Sequence, residues 1–308
     1  MRRALAVVAA LVAAAVSGCG LGPGDEQAGA GAVLRVTRDF GHELVGSARL
    51  ARVREGETVM RALRAGFDVE TRFGGRFVQA IDGLGGGGSG GEVDWFYFVN
   101  GVEAGVGAAE YELSPGDRVQ WDYRDWATTM RVPAIVGAFP EPFLHGFEGK
   151  RRPVRVECED AESEACRAAR DRLVDEGVST SGASLGAPGT QEVTRLAVAR
   201  WPAVRIVRGA AALEQGPDET GVFVRFSASG DRLDLLDGAG EVARSVRPGD
   251  GVGLVLAMAP RAEELVWLVT ALDERGLMAA VRALRERDLR DAFAIAVRGR
   301  TVEKLPLP

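Results

Sequence analysis

Two strands predicted between residues 94 and 123 constrain the fold of this chain most. Residues 94–101 read DWFYFVNG, which predicts a strand ending in an Asn-Gly turn. Residues 118–123, after the turn sequence SPGD, alternate polar and apolar side chains as a half-buried strand does. The first strand is apolar on both faces: Trp95, Tyr97 and Val99 point to one side, Phe96 and Phe98 to the other. Both faces must therefore be covered, one by core and the other by a helix, a partner or a ligand.

The N-terminus has the pattern of a secretory signal. Arg2 and Arg3 precede an apolar run over residues 4–16, which is shorter than the roughly 20 residues of a membrane-spanning helix. The run leads through VSG to Cys19, which resembles the lipobox of bacterial lipoproteins, where the cysteine is lipidated. We therefore predict a signal peptide over residues 1–18 and a lipidated Cys19 with a flexible linker over residues 19–31. A cysteine placed there by chance is the alternative. The predicted protein is extracytoplasmic and anchored to the cell membrane by its lipid.

Composition excludes one class of partner. The chain has 308 residues, of which 46% are hydrophobic, enough for two domains with buried cores. Its formal net charge is -6, and acidic and basic residues are interspersed along the sequence. Nucleic acid is a poor partner for such a surface, because binding it depends on clustered positive charge.

Cys158 and Cys166 predict a disulfide, because a secreted chain meets an oxidising compartment. A strand ending at the first and a helix starting at the second would bring their Cα atoms within the roughly 4.4 to 6.8 Å that a disulfide needs. On one continuous helix they would lie about 12 Å apart. A metal site of cysteine and carboxylate ligands is the alternative. It is weaker, because the sequence has no CxxC and no nearby histidine.

Residues 32–127 predict a small domain of strands with one helix. The helix starts after Thr58, a good N-cap, and stops at Gly66, with Val59, Leu63 and Phe67 facing the core. Strands are predicted over 33–37, 45–53, 69–73 and 77–81, the last two joined by a Gly-Gly turn. The glycine-rich residues 83–91 predict a mobile loop. A phosphate-binding loop is the weaker alternative, because a strand and not a helix follows.

Residues 128–308 predict a second domain of the α/β class with a mixed sheet. Its first segment, 132–147, is rich in proline and aromatic residues and is predicted to pack between the domains. A helix over 276–290 would bury Leu277, Val281 and Leu284 on one face, and Asp237-Gly238 predicts a hairpin. Strands are predicted over 153–157, 194–201, 221–227, 232–236, 253–259, 265–272 and 292–298. The fold class is therefore α+β overall, with a strand-rich N-terminal domain and an α/β C-terminal domain.

Several short segments carry a resemblance to a known family. They are ETVMRAL at 57–63, FGGRFVQAIDG at 73–83, WFYFVNG at 95–101, GVG at 105–107 and LSPGDRV at 113–119. Through them, residues 33–126 resemble the transcobalamin-like C-terminal domain family, found in bacterial surface proteins and as the smaller domain of transcobalamin and intrinsic factor. The resemblance implies a β-grasp-like fold for this domain. In the vitamin carriers the domain closes over cobalamin from one side, while a helical barrel covers the other.

The resemblance also implies where a ligand would bind. The implied ligand-binding residues are Phe73, Phe77, Trp95, Tyr97, Gly105 and Val106, and the implied ligand is a corrinoid. Taken by themselves, the four aromatic residues are also typical of packed sheet positions. We predict no other cofactor and no metal.

The sequence gives little support for catalysis. It contains two histidines, His42 and His145, and no HExxH motif, so a Ser-His-Asp arrangement or a zinc protease site has little to draw on, and we predict that the chain is not an enzyme. His145, which lies between Phe143 and Phe147, is predicted to be a hydrogen-bonded residue between the domains, with a ligand cap as the alternative.

Three hypotheses about function remain. The first is a lipoprotein that binds a small molecule such as cobalamin or another corrinoid, for uptake with a transporter component. The second is a non-catalytic module that binds an envelope protein or glycan through sheet edges and exposed aromatic residues. The third is a hydrolase of envelope polymers, which requires a cleft with carboxylates of perturbed pKa.

Overall fold

The computed structural model describes residues 31–85, 92–188, 192–261 and 264–308. The predicted signal peptide, Cys19, nearly all of its linker and residues 86–91 of the glycine-rich segment lie outside the described residues. Within them, the chain is a mixture of helices and strands gathered in several sheets, which confirms the α+β class. None of the helices in this part of the chain is long and apolar enough to cross a membrane.

The N-terminal part is built from strands and one helix. In chain order these are β1 (Ala32–Arg38), β2 (Glu43–Leu50), α1 (Val59–Gly66), β3 (Val69–Arg72), β4 (Phe77–Ile81), β5 (Leu84–Gly85), β6 (Val93–Val99), β7 (Val102–Glu103) and β8 (Arg118–Asp125). The main sheet has the order β2-β1-β8-β6-β7, with β1 and β8 parallel and the other pairs antiparallel. A second sheet, β3-β4-β5, is antiparallel. Parallel first and last strands under one helix are the arrangement of a β-grasp-like domain.

Helix α1 forms where the sequence predicts it. The Thr58 hydroxyl accepts a hydrogen bond from the Arg61 backbone N–H at 3.3 Å, which caps the first turn. Val59 and Leu63 are fully buried against the main sheet, and Phe67 packs at the edge of the same core. The helix ends at Gly66, as predicted, because Phe67 already has an extended backbone.

The C-terminal part contains the remaining elements. They are β9 (Val154–Cys158), α2 (Glu164–Asp175), β10 (Thr180–Ser184), β11 (Thr194–Val198), α3 (Trp201–Val204), α4 (Pro217–Thr220), β12 (Val224–Phe226), β13 (Leu233–Leu236), β14 (Val242–Val246), β15 (Val252–Arg261), β16 (Glu264–Ala271), α5 (Glu274–Arg282), α6 (Glu286–Leu289), β17 (Ala294–Arg298) and β18 (Thr301–Leu305). The large sheet has the order β10-β9-β11-β16-β15-β17-β18, parallel from β10 to β16 and antiparallel from β16 to β18. This is the predicted mixed sheet.

The large sheet is the middle of three layers and is buried on both faces. Helices α2 and α5 cover one face, where Leu173 and Val281 pack in the same core as Trp267. The antiparallel sheet β12-β13-β14 and helix α3 cover the other face, where Trp201 stacks on Phe226 with ring centroids 3.7 Å apart. Burial on both faces explains the continuous apolar sequence of β16, in which every residue is buried.

The cysteines form the predicted disulfide. Cys158 ends β9, Cys166 lies in the first turn of α2, and the two Cα atoms are 6.1 Å apart. Since both sulfur atoms are bonded to each other, neither is a thiolate ligand. Among the described residues, no group of three or more histidine, cysteine, aspartate or glutamate side chains is arranged to hold a metal ion.

The C-terminal part of the same chain covers the second face of β6. Trp95 and Val99 lie in the core under α1, as the alternation predicts. On the other face, Phe98 packs in a cluster with Phe293, their ring centroids 5.4 Å apart. Phe40, Val132, Ile135, Phe223 and Leu236 complete this cluster. The sequence predicts a helix, a partner or a ligand on this face. The structure instead shows it covered mainly by residues from the second half of the chain.

The segment after β8 packs against both halves. Val132 and Ile135 contribute to the cluster around Phe98, whereas Phe139 and Phe143 lie in the core of the large sheet beside Trp267. The prolines at 140 and 142 follow cis peptide bonds. The proline and aromatic content of this segment therefore reflects burial on two sides.

Some elements differ from their predictions. The predicted helix over 276–290 is two helices, because Ala283 closes the first helix and Arg285 is extended. Its predicted apolar stripe, Leu277, Val281 and Leu284, is buried all the same. The strand predicted to run to Trp201 stops at Val198, and Trp201 starts α3 with a proline in its first turn.

Candidate functional site

Of the ligand residues implied by the resemblance, Trp95 is buried, Tyr97 is half-buried and the other four are exposed. Trp95 is 6% exposed and lies in the core, with its ring 5.0 Å from that of Tyr123. Its Nε1 donor is buried and has no hydrogen-bond acceptor among the described residues, and the same holds for Trp121. Trp95 is therefore placed to support the sheet and not to touch a ligand at the surface.

Tyr97 connects the core to the loop after β7. Its ring stacks on Trp121 with centroids 4.8 Å apart and meets Tyr111 edge-on at 6.4 Å. Its hydroxyl donates a hydrogen bond to the backbone oxygen of Val106 at 2.5 Å. Burial raises the pKa of Tyr97 above its ordinary value, so the hydroxyl stays protonated and keeps donating. Tyr97 thereby positions the loop that contains Gly105 and Val106.

That loop presents its own residues to solvent. The Val106 side chain is 49% exposed. Gly105 is also exposed, and a Cβ atom added there would meet nothing within 4 Å. The loop is therefore held at one point by Tyr97 and open on its outer side.

Phe73 and Phe77 lie at the tip of the β3–β4 hairpin. Phe73 is 81% exposed and Phe77 41% exposed, and their rings meet edge-on with centroids 6.4 Å apart. Phe73 has a positive φ of 51°, which is rare for a bulky residue, and Gly74 and Gly75 continue the left-handed turn. The backbone therefore holds an exposed phenylalanine in a costly conformation, a feature that points to a contact outside the domain.

His145 is hydrogen-bonded, as predicted, and its partner is Glu141 of the same segment. Its Nδ1 lies 2.5 Å from Glu141 Oε1, and its backbone N–H donates to Glu141 Oε2 at 2.9 Å. A cavity of about 260 Å³ beside this pair is also lined by Asp117. Burial raises the pKa of Glu141 and of Asp117, as the hydrolase hypothesis requires.

The oxygen atoms of these two carboxyl groups are, however, already engaged. Both Glu141 oxygens bind His145, while Asp117 accepts hydrogen bonds from Asn100 Nδ2 at 2.8 Å and from the Ser114 backbone N–H at 2.7 Å. This arrangement fixes the turn and the segment after β8.

Sequence reasoning missed a group of buried charges between the two halves. Arg124 lies over the Phe96 ring at 3.9 Å and donates to the backbone oxygens of Thr129 and Met130. Asp122, on the same strand, accepts from the Thr37 hydroxyl at 2.8 Å and the Gly41 backbone N–H at 2.9 Å. The available signal was the pattern of β8, where charged residues take the positions of the sheet face that Phe96 and Phe98 share.

Comparison with known proteins gives a family match for one part of the chain. Residues 56–125 match a family described as a domain of unknown function (DUF4430), which is a transcobalamin-like family. The match runs from the start of α1 to the end of β8 and includes all six ligand residues implied by the resemblance. It covers less than a quarter of the chain. No curated protein matches the chain.

Proposed function

We propose that this protein is a non-catalytic, extracytoplasmic lipoprotein that binds a small molecule through the exposed surface of its transcobalamin-like domain. The proposed binding surface consists of Phe73, Phe77, Gly105 and Val106. A corrinoid is the proposed ligand, delivered from this surface to a transporter component. The transcobalamin-like family of residues 56–125 supports this class of ligand.

The exposure of Phe73 is the observation that carries the proposal. A phenylalanine side chain buries about 150 to 250 Å² when it is covered, so leaving it in water forfeits a large hydrophobic stabilisation. Phe73 is 81% exposed, and its backbone is in the left-handed region. Phe77 beside it makes the apolar surface continuous. A ligand with a broad apolar face would cover both rings.

The surface would hold a corrinoid from one side only. In the described residues the second half of the chain is a three-layer α/β structure, and it covers the opposite face of the N-terminal sheet. A helical barrel that closes the other side, as in the vitamin carriers, is not among these elements. We therefore expect affinity well below that of an enclosed site, which suits release to a transporter.

Absorbance titration with cobalamin tests the ligand. We expect saturable binding by the purified protein, weakened by about tenfold or more in the double variant Phe73→Ala/Phe77→Ala, because both exposed rings are lost. The matched control is Ile206→Ala, which removes an exposed apolar side chain, 66% exposed, from the C-terminal part. Absence of binding at micromolar cobalamin, or equal loss in the control, would contradict the proposal.

The same exposed aromatic tip is also what a protein or glycan partner would recognise. Crosslinking in the native host, followed by mass spectrometry, separates this alternative from the proposal. One stoichiometric partner lost in the Phe73→Ala/Phe77→Ala variant, together with no cobalamin binding, would replace the small-molecule assignment with an interaction module.

The anchor has its own test. Cells that express the protein are grown with labelled palmitate, and we expect the label in the wild type and not in the Cys19→Ala variant. Label that persists in the variant would place the lipid elsewhere. Release of the wild type by salt alone would contradict anchoring by lipid.

A further inference from the structure

We propose that a second site, lined by arginines in the C-terminal part, binds a ligand with two or more phosphate charges. The cavity lies between α2, α5 and the β17–β18 hairpin and has a volume of about 650 Å³. Its charged lining residues are Arg172, Arg282, Arg285, Arg287, Arg300 and Asp288. Five arginines therefore face one aspartate, in a chain whose net charge is -6.

Most of these guanidinium groups lack a partner. Among the described residues, the side chains of Arg282, Arg285 and Arg300 take part in no hydrogen bond or ion pair, and the Nε atom of Arg285 is buried without an acceptor. Arg172 and Arg287 reach only distant carboxylates, at 3.7 Å in Asp175 and 3.5 Å in Asp288. The cavity thus concentrates hydrogen-bond donors that the protein itself does not use.

Other arginines of the same part are paired. Arg195 binds Glu157 through two hydrogen bonds of 2.8 Å, and Arg244 binds Glu303 through bonds of 2.6 and 2.9 Å. These pairs hold strands together. The arginines of the cavity repel one another, and Asp175 and Asp288 offset only part of this repulsion, so an anion bound between the arginines would relieve the rest.

A position at the end of a helix explains only three of the five arginines. Arg172, Arg282 and Arg287 lie in the last turns of α2, α5 and α6, where a cation interacts favourably with the helix dipole. Arg300 lies in the turn between β17 and β18, and Arg285 has an extended backbone directly before α6. Their presence in the same cavity needs another reason.

The shape and extent of the site point to phosphate chemistry. A guanidinium group binds phosphate oxygens through two parallel hydrogen bonds, and several such groups around one cavity suit a multiply charged anion. A neighbouring cavity of about 300 Å³ shares Arg282 and adds Arg275, Arg298 and one carboxylate, that of Asp250. The two cavities together have room for two linked phosphate groups or for a phosphate with an organic substituent. The larger cavity is also lined by the apolar residues Ala279, Ala283, Val297 and Val302.

Calorimetric titration of the purified protein with pyrophosphate at low salt tests the site. We expect saturable binding that weakens as salt rises and that falls by about tenfold or more in Arg282→Gln/Arg300→Gln, because two charge-assisted contacts are lost. Both residues are exposed and unpaired in the described structure, so the variant should fold. Arg285→Lys, which keeps the charge and loses the fork, should also bind more weakly.

The matched control is Arg52→Gln, an exposed arginine of the N-terminal part, and it should bind pyrophosphate as the wild type does. The variant Phe73→Ala/Phe77→Ala should also bind it normally, which separates this site from the proposed ligand surface. No binding of pyrophosphate or lipid phosphate, or equal loss in the control, would overturn the proposal. Citrate bound as tightly as pyrophosphate would overturn the assignment to phosphate.

Two arms distinguish the source of the phosphate. Co-sedimentation with vesicles that contain cardiolipin, a lipid with two phosphate groups, against vesicles of phosphatidylcholine, measures binding to a lipid headgroup with two phosphate charges. Retention on the first vesicles that depends on Arg282 and Arg300 would identify a headgroup. Pyrophosphate binding without vesicle binding would identify a soluble phosphate ligand.

Discussion

Arg35 and Asp291 form a bidentate ion pair that joins the two halves of the chain. Arg35 lies on β1, and its Nη2 donates to Asp291 Oδ2 at 2.5 Å while its Nε donates to Oδ1. The backbone oxygen of Asp291 accepts a further hydrogen bond from Gln120 Nε2 at 2.9 Å. A Cβ atom added to Gly137 would come 2.8 Å from the Asp291 backbone, so the segment after β8 passes close to this point. The sheet face that holds these residues is therefore committed to contact within the chain.

Loss of the Asp291 charge should destabilise the whole protein. Asp291→Asn keeps the size of the side chain and tolerates the positive φ of 65° at this position, but it leaves Arg35 without its charged partner. We expect the free energy of unfolding to fall by about 2 kcal/mol, measured by urea unfolding followed by tryptophan fluorescence. Arg38 lies on the same strand as Arg35 and forms an exposed ion pair with Glu43 of β2. Arg38→Gln, which breaks this pair, should lower the free energy of unfolding by less than about 1 kcal/mol. Equal effects of the two changes would contradict the role of the Arg35–Asp291 pair.

Removal of the disulfide should lower stability without changing the fold. In the chain-entropy account, the Cys158–Cys166 bond closes a short loop and contributes about 2.6 kcal/mol by restricting the unfolded chain. The double variant Cys158→Ser/Cys166→Ser should unfold at a correspondingly lower urea concentration, with an unchanged circular dichroism spectrum. Reductant should lower the stability of the wild type and leave that of the variant as it is. A wild type that does not respond to reductant would contradict a stabilising bond.

Stability should decrease as the pH rises from about 4.5 to 7. Burial raises the pKa of Glu103 from 4.5 to about 7, against the attraction of Arg124 and Arg131, and burial also raises the pKa of Asp122 to about 7. In this window the folded protein keeps protons that the unfolded chain releases, so a higher pH favours unfolding. The contribution of Glu103 to stability is fully present below pH 4.5 and is lost as the pH rises through 7.

The variant Glu103→Gln should show a shallower decrease than the wild type over the same window. The difference between their free energies of unfolding at the two ends should be on the order of 2 kcal/mol, since each pKa unit corresponds to about 1.4 kcal/mol. Urea unfolding at several pH values measures it. Parallel profiles for the two proteins would show that Glu103 does not titrate in this window.

Trp95 and Phe73 should differ in what their removal does. Trp95→Ala empties a buried position, so we expect a loss of about 3 to 5 kcal/mol in the free energy of unfolding. Phe73→Ala removes an exposed ring and should change stability by less than about 0.5 kcal/mol. Thermal unfolding of the two variants measures the contrast. A large loss in Phe73→Ala would mean that Phe73 supports the hairpin and not a ligand.

Local patterns predicted much of the secondary structure. The strand over 94–101, its Asn-Gly turn and the helix cap at Thr58 depend on neighbouring residues, and each lies where the pattern predicts it. The turn has positive φ at both Asn100 and Gly101, which these residue types adopt most readily. The disulfide was predictable because a strand and a helix meet between its cysteines. Strand β18 was missed, because three of its five residues are polar and it lies at a sheet edge.

The sequence by itself determined that both faces of strand β6 are buried, because alternating side chains leave no polar face. Only the tertiary structure decided what covers the second face, since Phe40, Phe223 and Phe293 come from distant parts of the chain. The sequence pattern also does not distinguish the two aromatic residues Phe73 and Trp95 of the candidate site. In the structure, Phe73 is exposed at the tip of a hairpin, whereas Trp95 is buried under a helix. The arginines of the C-terminal cavity are spread over residues 172–300 and become one site only when α2, α5 and β17–β18 pack together. Periodicity fixes the direction of a side chain within its own element, but its neighbours are set by long-range packing.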